Sequence, residues 1–383
     1  MMRMWLALFA LLLFWPATGH AQDYVDEKLQ AAVDEVIAGL DFSGMGDLSI
    51  PGYAQPLDIE AVVRRFASGE MVSAEDAVAG VLSAFFDALS GLGVLMLSIM
   101  LPVLLSSLLV HMLSSSRANL ASLSRSVCFV LILIPVLLLV FSELEHARQT
   151  ITTMTQRMDK LLPILLTLLT ALGGNASSAF LHPVVVAASG SMVFLSREVI
   201  LRLVMCTCAV TAVNHLSDRA HLTRMAQLLR SIVCWLLGVS FTVFLGAMSL
   251  QGVCSASLDG VVIRAAKYAV DNFVPVVGGM FSDTMDTLVG CTLIVKNALG
   301  VTAVLVLLGA ILGPMMRTLC AVFVLKLSAA LLEPVADGEI IRAIGDFSRT
   351  IVLFLITMLC VGTMYFLLIV QILLVGNLTV MLR

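Results

Sequence analysis

The sequence predicts an all-α polytopic membrane protein: a cleaved signal peptide, a small acidic exported helical head, about seven transmembrane helices and a possible re-entrant helix pair. Three observations carry this expectation. Of 383 residues, 60% are hydrophobic and 13% charged, against about 45–50% and about 25% in soluble domains. Mean hydropathy is +1.04, which excludes a water-soluble chain of this length. Charge is also segregated: residues 22–88 hold 13 acidic and 3 basic side chains, net −10, while the rest of the chain is net positive. With 22 Lys+Arg against 26 Asp+Glu, no basic face for nucleic acid is expected.

Residues 1–21 read as a signal peptide. Arg3 is followed by the apolar run Trp5–Trp15, then Pro16, and Gly19-His20-Ala21 forms a small-x-small cleavage site before Gln22. Gly rather than Ala three residues before the cut leaves an uncleaved anchor as the alternative; either places Gln22 outside the cytoplasm. The eight cysteines all lie beyond residue 88, mostly in apolar runs, so no disulfide framework holds the head. Cys206 and Cys208 would face different sides of a helix, and all eight read as small buried hydrophobes.

In the acidic region 22–88, Val25, Leu29, Val33, Val36 and Leu40 recur at helical spacing, as do Ile59, Val62, Val63 and Phe66. From residue 89 a membrane bundle extends to 250, with an extracytoplasmic amphipathic segment at 251–297 and C-terminal transmembrane helices at 298–383. Spans are expected near 90–113, 126–142, 199–216, 231–250, 298–313, 318–334 and 351–375. Residues 161–195, with Gly173-Gly174-Asn175 between two apolar stretches, suit a re-entrant pair, two short spans or one broken helix. Loop cations then point inward: Arg117 and Arg125, Arg219, Arg224 and Arg230, Arg317 and Arg383. That places the head outside, 143–160 as an outside loop, and the C-terminus in the cytoplasm.

Catalytic patterns are missing: no phosphate loop, no His-Glu-x-x-His and no Gly-x-Ser-x-Gly occur. No enzyme, cofactor or metal site is expected. Glu143-Leu-Glu145-His146 reads as a solvated span boundary rather than a ligand set. Arg202 and Lys326 are cations inside apolar runs. Arg202 has Glu198 one turn before it, and Lys326 shares a face with Glu333 and can snorkel; a polar conduit is the functional alternative. Gly238, Thr242 and Gly246, like Gly309 and Gly313, are spaced for close helix contact within the bundle.

Segment 251–297 is moderately polar and helical in pattern, broken by Asn272-Phe-Val-Pro275. It reads as a pair of interfacial amphipathic helices or as an outer vestibule and docking surface. Its candidate working residues are Asp259, Arg264, Lys267, Asn272, Asp283, Asp286 and Lys296.

At this segment the chain resembles the stage III sporulation protein AE family. The resemblance rests on Phe244-Leu-Gly-Ala-Met-Ser-Leu-Gln-Gly252, Asp259-Gly260, Arg264-Ala-Ala-Lys267-Tyr268 and Asn272-Phe-Val-Pro275. It continues through Gly278, Phe281-Ser-Asp283, Asp286-Thr287 and Lys296-Asn297. Upstream, Phe66-Ala-Ser-Gly69-Glu70, Gly173-Gly174 through His182-Pro183 and Leu228-Leu229-Arg230 are similar too. The resemblance implies a multi-pass protein of the mother-cell membrane around the forespore, within a secretion-like channel complex needed for late forespore gene expression. Implied partners are other stage III sporulation proteins of the same operon, including an ATPase, and stage II sporulation protein Q, besides the lipid bilayer. The family brings no catalytic residues with it. A stand-alone solute transporter and a structural assembly scaffold are the alternative functions.

Overall fold

The computed structural model describes residues 34–37, 59–67, 82–83, 85–86, 90, 93–94, 96–105, 118–172, 174–216, 222–273, 278–334 and 338–381; for 59, 118–128, 175–176, 180, 252–288 and 378–381 only the backbone is described. The signal peptide and most of the acidic head therefore lie outside the described residues. All described elements are helical. They are α1 (Ile59–Ala67), α2 (Met96–Leu105), α3 (Ala118–Ala171), α4 (Asn175–Phe194), a π-helical turn (Leu195–Ile200), α5 (Leu201–Leu216), α6 (Thr223–Phe273), α7 (Gly278–Leu332) and α8 (Gly338–Met381).

Five helical stretches are long and apolar enough to cross a membrane: Phe129–Ala171, Ser177–Leu216, Thr223–Gln251, Val289–Leu332 and Gly338–Asn377. α7 has 55 residues and α3 has 54. At 1.5 Å per residue each is about 80 Å long, well beyond the roughly 30 Å hydrocarbon core. α7 and α8 pack together most extensively, and α3 lies against both. Ile351, Phe354, Met358, Val361 and Leu368 of α8 meet Ile311, Cys320 and Leu325 of α7 and Ile151, Met154 and Leu165 of α3 in one buried cluster. α6 is the most peripheral of the five stretches, with Trp235, Val243 and Leu250 exposed.

Length is where expectation and structure part. The spans expected at 298–313 and 318–334 are one helix, continuous through Pro314. Proline removes one backbone hydrogen bond, but neighbouring helices can hold such a helix together. The expected outside loop at 143–160 is the middle of α3, with Ala147, Ile151, Met154 and Met158 fully buried. Residues 161–195 form the end of α3 and the whole of α4, joined by a tight corner. A Cβ on Gly174 would come 2.9 Å from the Leu169 carbonyl oxygen, so the corner needs glycine's lack of a side chain. The boundaries expected at 250 and 297 fall within α6 and α7.

Losing one crossing alters the arrangement of the ends. Lys296 Nζ lies 2.7 Å from Asn377 Oδ1. Residue 296 and the C-terminal part of α8 are thus at the same end of the bundle, not on opposite sides as the loop charges suggested. Cys320 Sγ meets the Phe85 carbonyl oxygen at 3.7 Å. α7 therefore meets the stretch before α2 and segment 251–297 at different levels, although both were expected on one side.

In the head, α1 packs against α7 through an apolar face that includes the buried Val62 and Val63. Glu60 opens it and Arg64 and Arg65 close it, the order the helix dipole favours. Arg64 pairs with Glu60 at 2.9 Å and with Asp34; the Glu60 hydrogen bond is the main cause raising the Arg64 guanidinium above its ordinary value.

Candidate polar sites within the helical core

Polar contacts cross the apolar interfaces of α3, α5, α6, α7 and α8 at several levels. At one end, Lys296 is fully buried and donates to the Leu373 carbonyl at 2.9 Å and to Asn377 Oδ1 at 2.7 Å. No acid pairs with it among the described residues. Gly376 makes room for it: a Cβ there would stand 2.5 Å from Nζ. Next along the bundle, Tyr365 donates to Thr155 Oγ1 at 3.1 Å, and Arg157 donates to the Val306 carbonyl at 3.1 Å. Both bonds tie the polar middle of α3 to its apolar neighbours.

Further along, Glu143 is 0% exposed. Its Oε2 accepts from the Thr318 hydroxyl at 2.6 Å, while Oε1 has no hydrogen-bond partner and lies 3.8 Å from Arg317 Nε. Arg317 also reaches Ser142 Oγ at 3.3 Å. Sequence reading placed Glu143 at a solvated boundary. The structure corrects this, because α3 continues through it and α7 covers it.

Near the start of α8, Asp346 joins three helices. Its Oδ2 is 3.1 Å from His215 Nε2, and its Oδ1 accepts from Arg230 and from Arg349 at 3.3 Å each. Arg230 also donates to the Asp346 carbonyl at 3.0 Å. The acid is 20% exposed, Arg230 15% and His215 12%. Beside it, Asn214 Oδ1 accepts from the Leu222 amide at 2.8 Å and so fastens the start of α6 to the end of α5.

Of the candidate residues from sequence, only Lys296, Arg202 and Lys326 have described side chains. Lys296 is in the core rather than on an outer surface. Arg202 pairs with Glu198, as the spacing implied, and is exposed. Lys326 is exposed and makes no ion pair among the described residues. Asp259, Arg264, Lys267 and Asn272 lie on the backbone of α6, and Asp283 and Asp286 on that of α7; their side chains are outside the described residues. α6 ends at Phe273 and α7 begins at Gly278, matching the expected break around Pro275. Glu143, Asp346 and His215 were missed because their partners lie more than a hundred residues away in sequence.

Small-residue spacing also reads differently in three dimensions. A Cβ on Gly238, Gly246 or Gly313 would meet nothing within 4 Å, so these glycines are not contact points within the bundle.

Within the stretch Phe244–Gly252, the Met248 carbonyl accepts from Gln371 Nε2 of α8. A family model described as stage III sporulation protein AE matches residues 57–376, from just before α1 almost to the end of α8. The chain belongs to that family. The stage III sporulation protein AE of Bacillus subtilis (strain 168) is 32% identical over 267 residues, covering 70% of this chain and 67% of the relative. No solved structure matches the chain. Family membership thus reaches α1, while residues 22–56 of the acidic head stay outside the match.

Proposed function

We propose that this chain is a non-enzymatic membrane subunit of the channel complex between mother cell and forespore, needed for late forespore gene expression. The observation that carries the reading is the family match across 57–376, which contains four of the five long apolar stretches and all but the last residue of the fifth. The chain would sit in the mother-cell membrane around the forespore and assemble with the other stage III proteins of its operon, including the ATPase, and with stage II sporulation protein Q. A protein built of helices twice the bilayer's thickness suits a base that also reaches beyond the membrane to partners. The signal-peptide-like start directs the acidic head into the space between the two membranes. Segment 251–297 and the C-terminal part of α8 share one side.

The test is a deletion in the sporulating organism, complemented with an epitope-tagged copy. The expected result is lost late forespore gene expression, restored by the tagged protein, which collects at the forespore-surrounding membrane and brings operon partners with it. Normal late expression in the deletion strain overturns the proposal. So does restoration by a protein spread over vegetative membranes without partners.

A further inference from the structure

α3 has its polarity in the wrong place for a helix that faces lipid. Its residues 143–157 lie beside the middle of two very apolar helices. Glu143 touches Thr318, Arg157 touches the Val306 carbonyl and Thr155 touches Tyr365. Those partners fall inside the apolar stretches Val289–Leu332 and Gly338–Asn377, whose hydropathies are 2.2 and 2.5. Polar residues of α3 therefore share the depth at which α7 and α8 are most apolar.

The two faces of this part of α3 are sharply different. One face carries Ala147, Thr150, Ile151, Met154 and Met158, all buried against the core. The opposite face carries Glu145, Gln149, Gln156, Asp159 and Lys160, all exposed, with the half-buried Thr152 and Thr153 filling the turn between the two glutamines. Large apolar side chains are exposed elsewhere, including Leu138 and Phe141 earlier on the same helix and Trp235, Val243 and Leu250 on α6. Lipid suits those positions. It does not suit a line of amides and ions, which within a membrane face a bundle interior or a water-filled cavity.

We infer that the Glu145–Lys160 face of α3 is one wall of an aqueous path at membrane depth, open to water and small hydrophilic solutes. The inference rests on the membrane-channel reading and adds to it the surface that solute would meet. The wall carries two acids, two amides and one lysine, so it presents both signs of charge. Threonine hydroxyls on this stretch leave few demands on the path, because Thr150, Thr152 and Thr155 donate to the carbonyls of His146, Arg148 and Ile151 one turn earlier.

The test needs no sporulation. The full chain is produced in a host membrane and treated with a water-soluble carbodiimide and glycine ethyl ester, and modified carboxyls are located by peptide mass spectrometry. The expected result is modification of Glu145 and Asp159 but not of buried Glu143. Single-cysteine variants provide an independent reading: Gln149→Cys and Gln156→Cys should react with a membrane-impermeant methanethiosulfonate several-fold faster than Val243→Cys and Trp235→Cys on α6. Protection of Glu145, Asp159 and both cysteines in membranes, relieved only by detergent, would mean lipid or another protein covers the face, and overturns the inference. Solvent-open carboxyls in a strain whose deletion sporulates normally would instead leave the wall standing and remove the sporulation-channel reading.

Discussion

Two acids in this bundle are both enclosed by helices, and they are held in opposite ways. Asp346 is surrounded by polar partners: the His215 imidazole and the Arg230 and Arg349 guanidiniums converge on it from α5, α6 and its own helix. Glu143 has one hydroxyl, from Thr318, and one guanidinium at 3.8 Å that is itself 42% exposed. Asp346 works as a clasp, because removing it strands charges that have little water. Glu143 is an acid the fold tolerates, with one oxygen unpartnered, and its removal strands only a threonine and an arginine that can turn to solvent. Burial alone does not measure what a charge contributes; the hydration of its partners does.

The largest expected effect is at the clasp. Asp346→Ala should lower stability by about 3–5 kcal/mol, since it leaves Arg230 and His215 without their acid in a poorly hydrated site. Thermal unfolding of the detergent-purified protein checks this, and a loss no greater than that at Glu143 would erase the contrast between the two acids. Glu143→Ala should cost about 1–3 kcal/mol, the sum of a small void and a lost hydrogen bond to Thr318. Glu143→Gln keeps an acceptor for that hydroxyl and discards the charge, so its stability should stay within about 1 kcal/mol of the parent. A severe loss there would show that the ionised carboxylate and Arg317 form a true pair. The smallest change is expected for Arg349→Ala: its side chain is 71% exposed, and such ion pairs contribute below about 0.5 kcal/mol. All four variants can be compared in one unfolding series.

Sequence made some of this visible and hid the rest for identifiable reasons. Apolar runs announced the long stretches at 231–250 and 351–375, and the four-residue step from Glu198 to Arg202 announced their pairing. The break near Pro275 was likewise readable. Summed hydropathy concealed α3, because it counts the charges of 143–160 without asking which face they occupy. The spacing of Ala147, Ile151, Met154 and Met158 held the missing information: it is a helical stripe, four, three and four residues apart. The break expected between 313 and 318 erred in the other direction. A proline such as Pro314 ends a helix in water, but inside a packed bundle the carbonyl it frees can be tolerated, and α7 continues. The positive-inside count inherited that error, since one break too many reverses every loop after it. For Glu143, Asp346 and Lys296, spacing carried no signal, because each is defined by contacts between distant segments.

The π-helical turn at Leu195–Ile200 makes the clasp depend on chain length. One extra residue is accommodated in that turn, and a residue corresponds to about 100° of rotation in the helix that follows. α5 is thus set in phase by an insertion roughly four turns before His215. Deleting a single residue there, with every side chain of the clasp unchanged, would swing His215 away from Asp346 and turn the buried Val204, Thr207 and Thr211 toward a different neighbour. In this part of the chain, the residue count acts as an angular setting, and an alignment gap within 195–200 should be read as a rotation rather than a shortening.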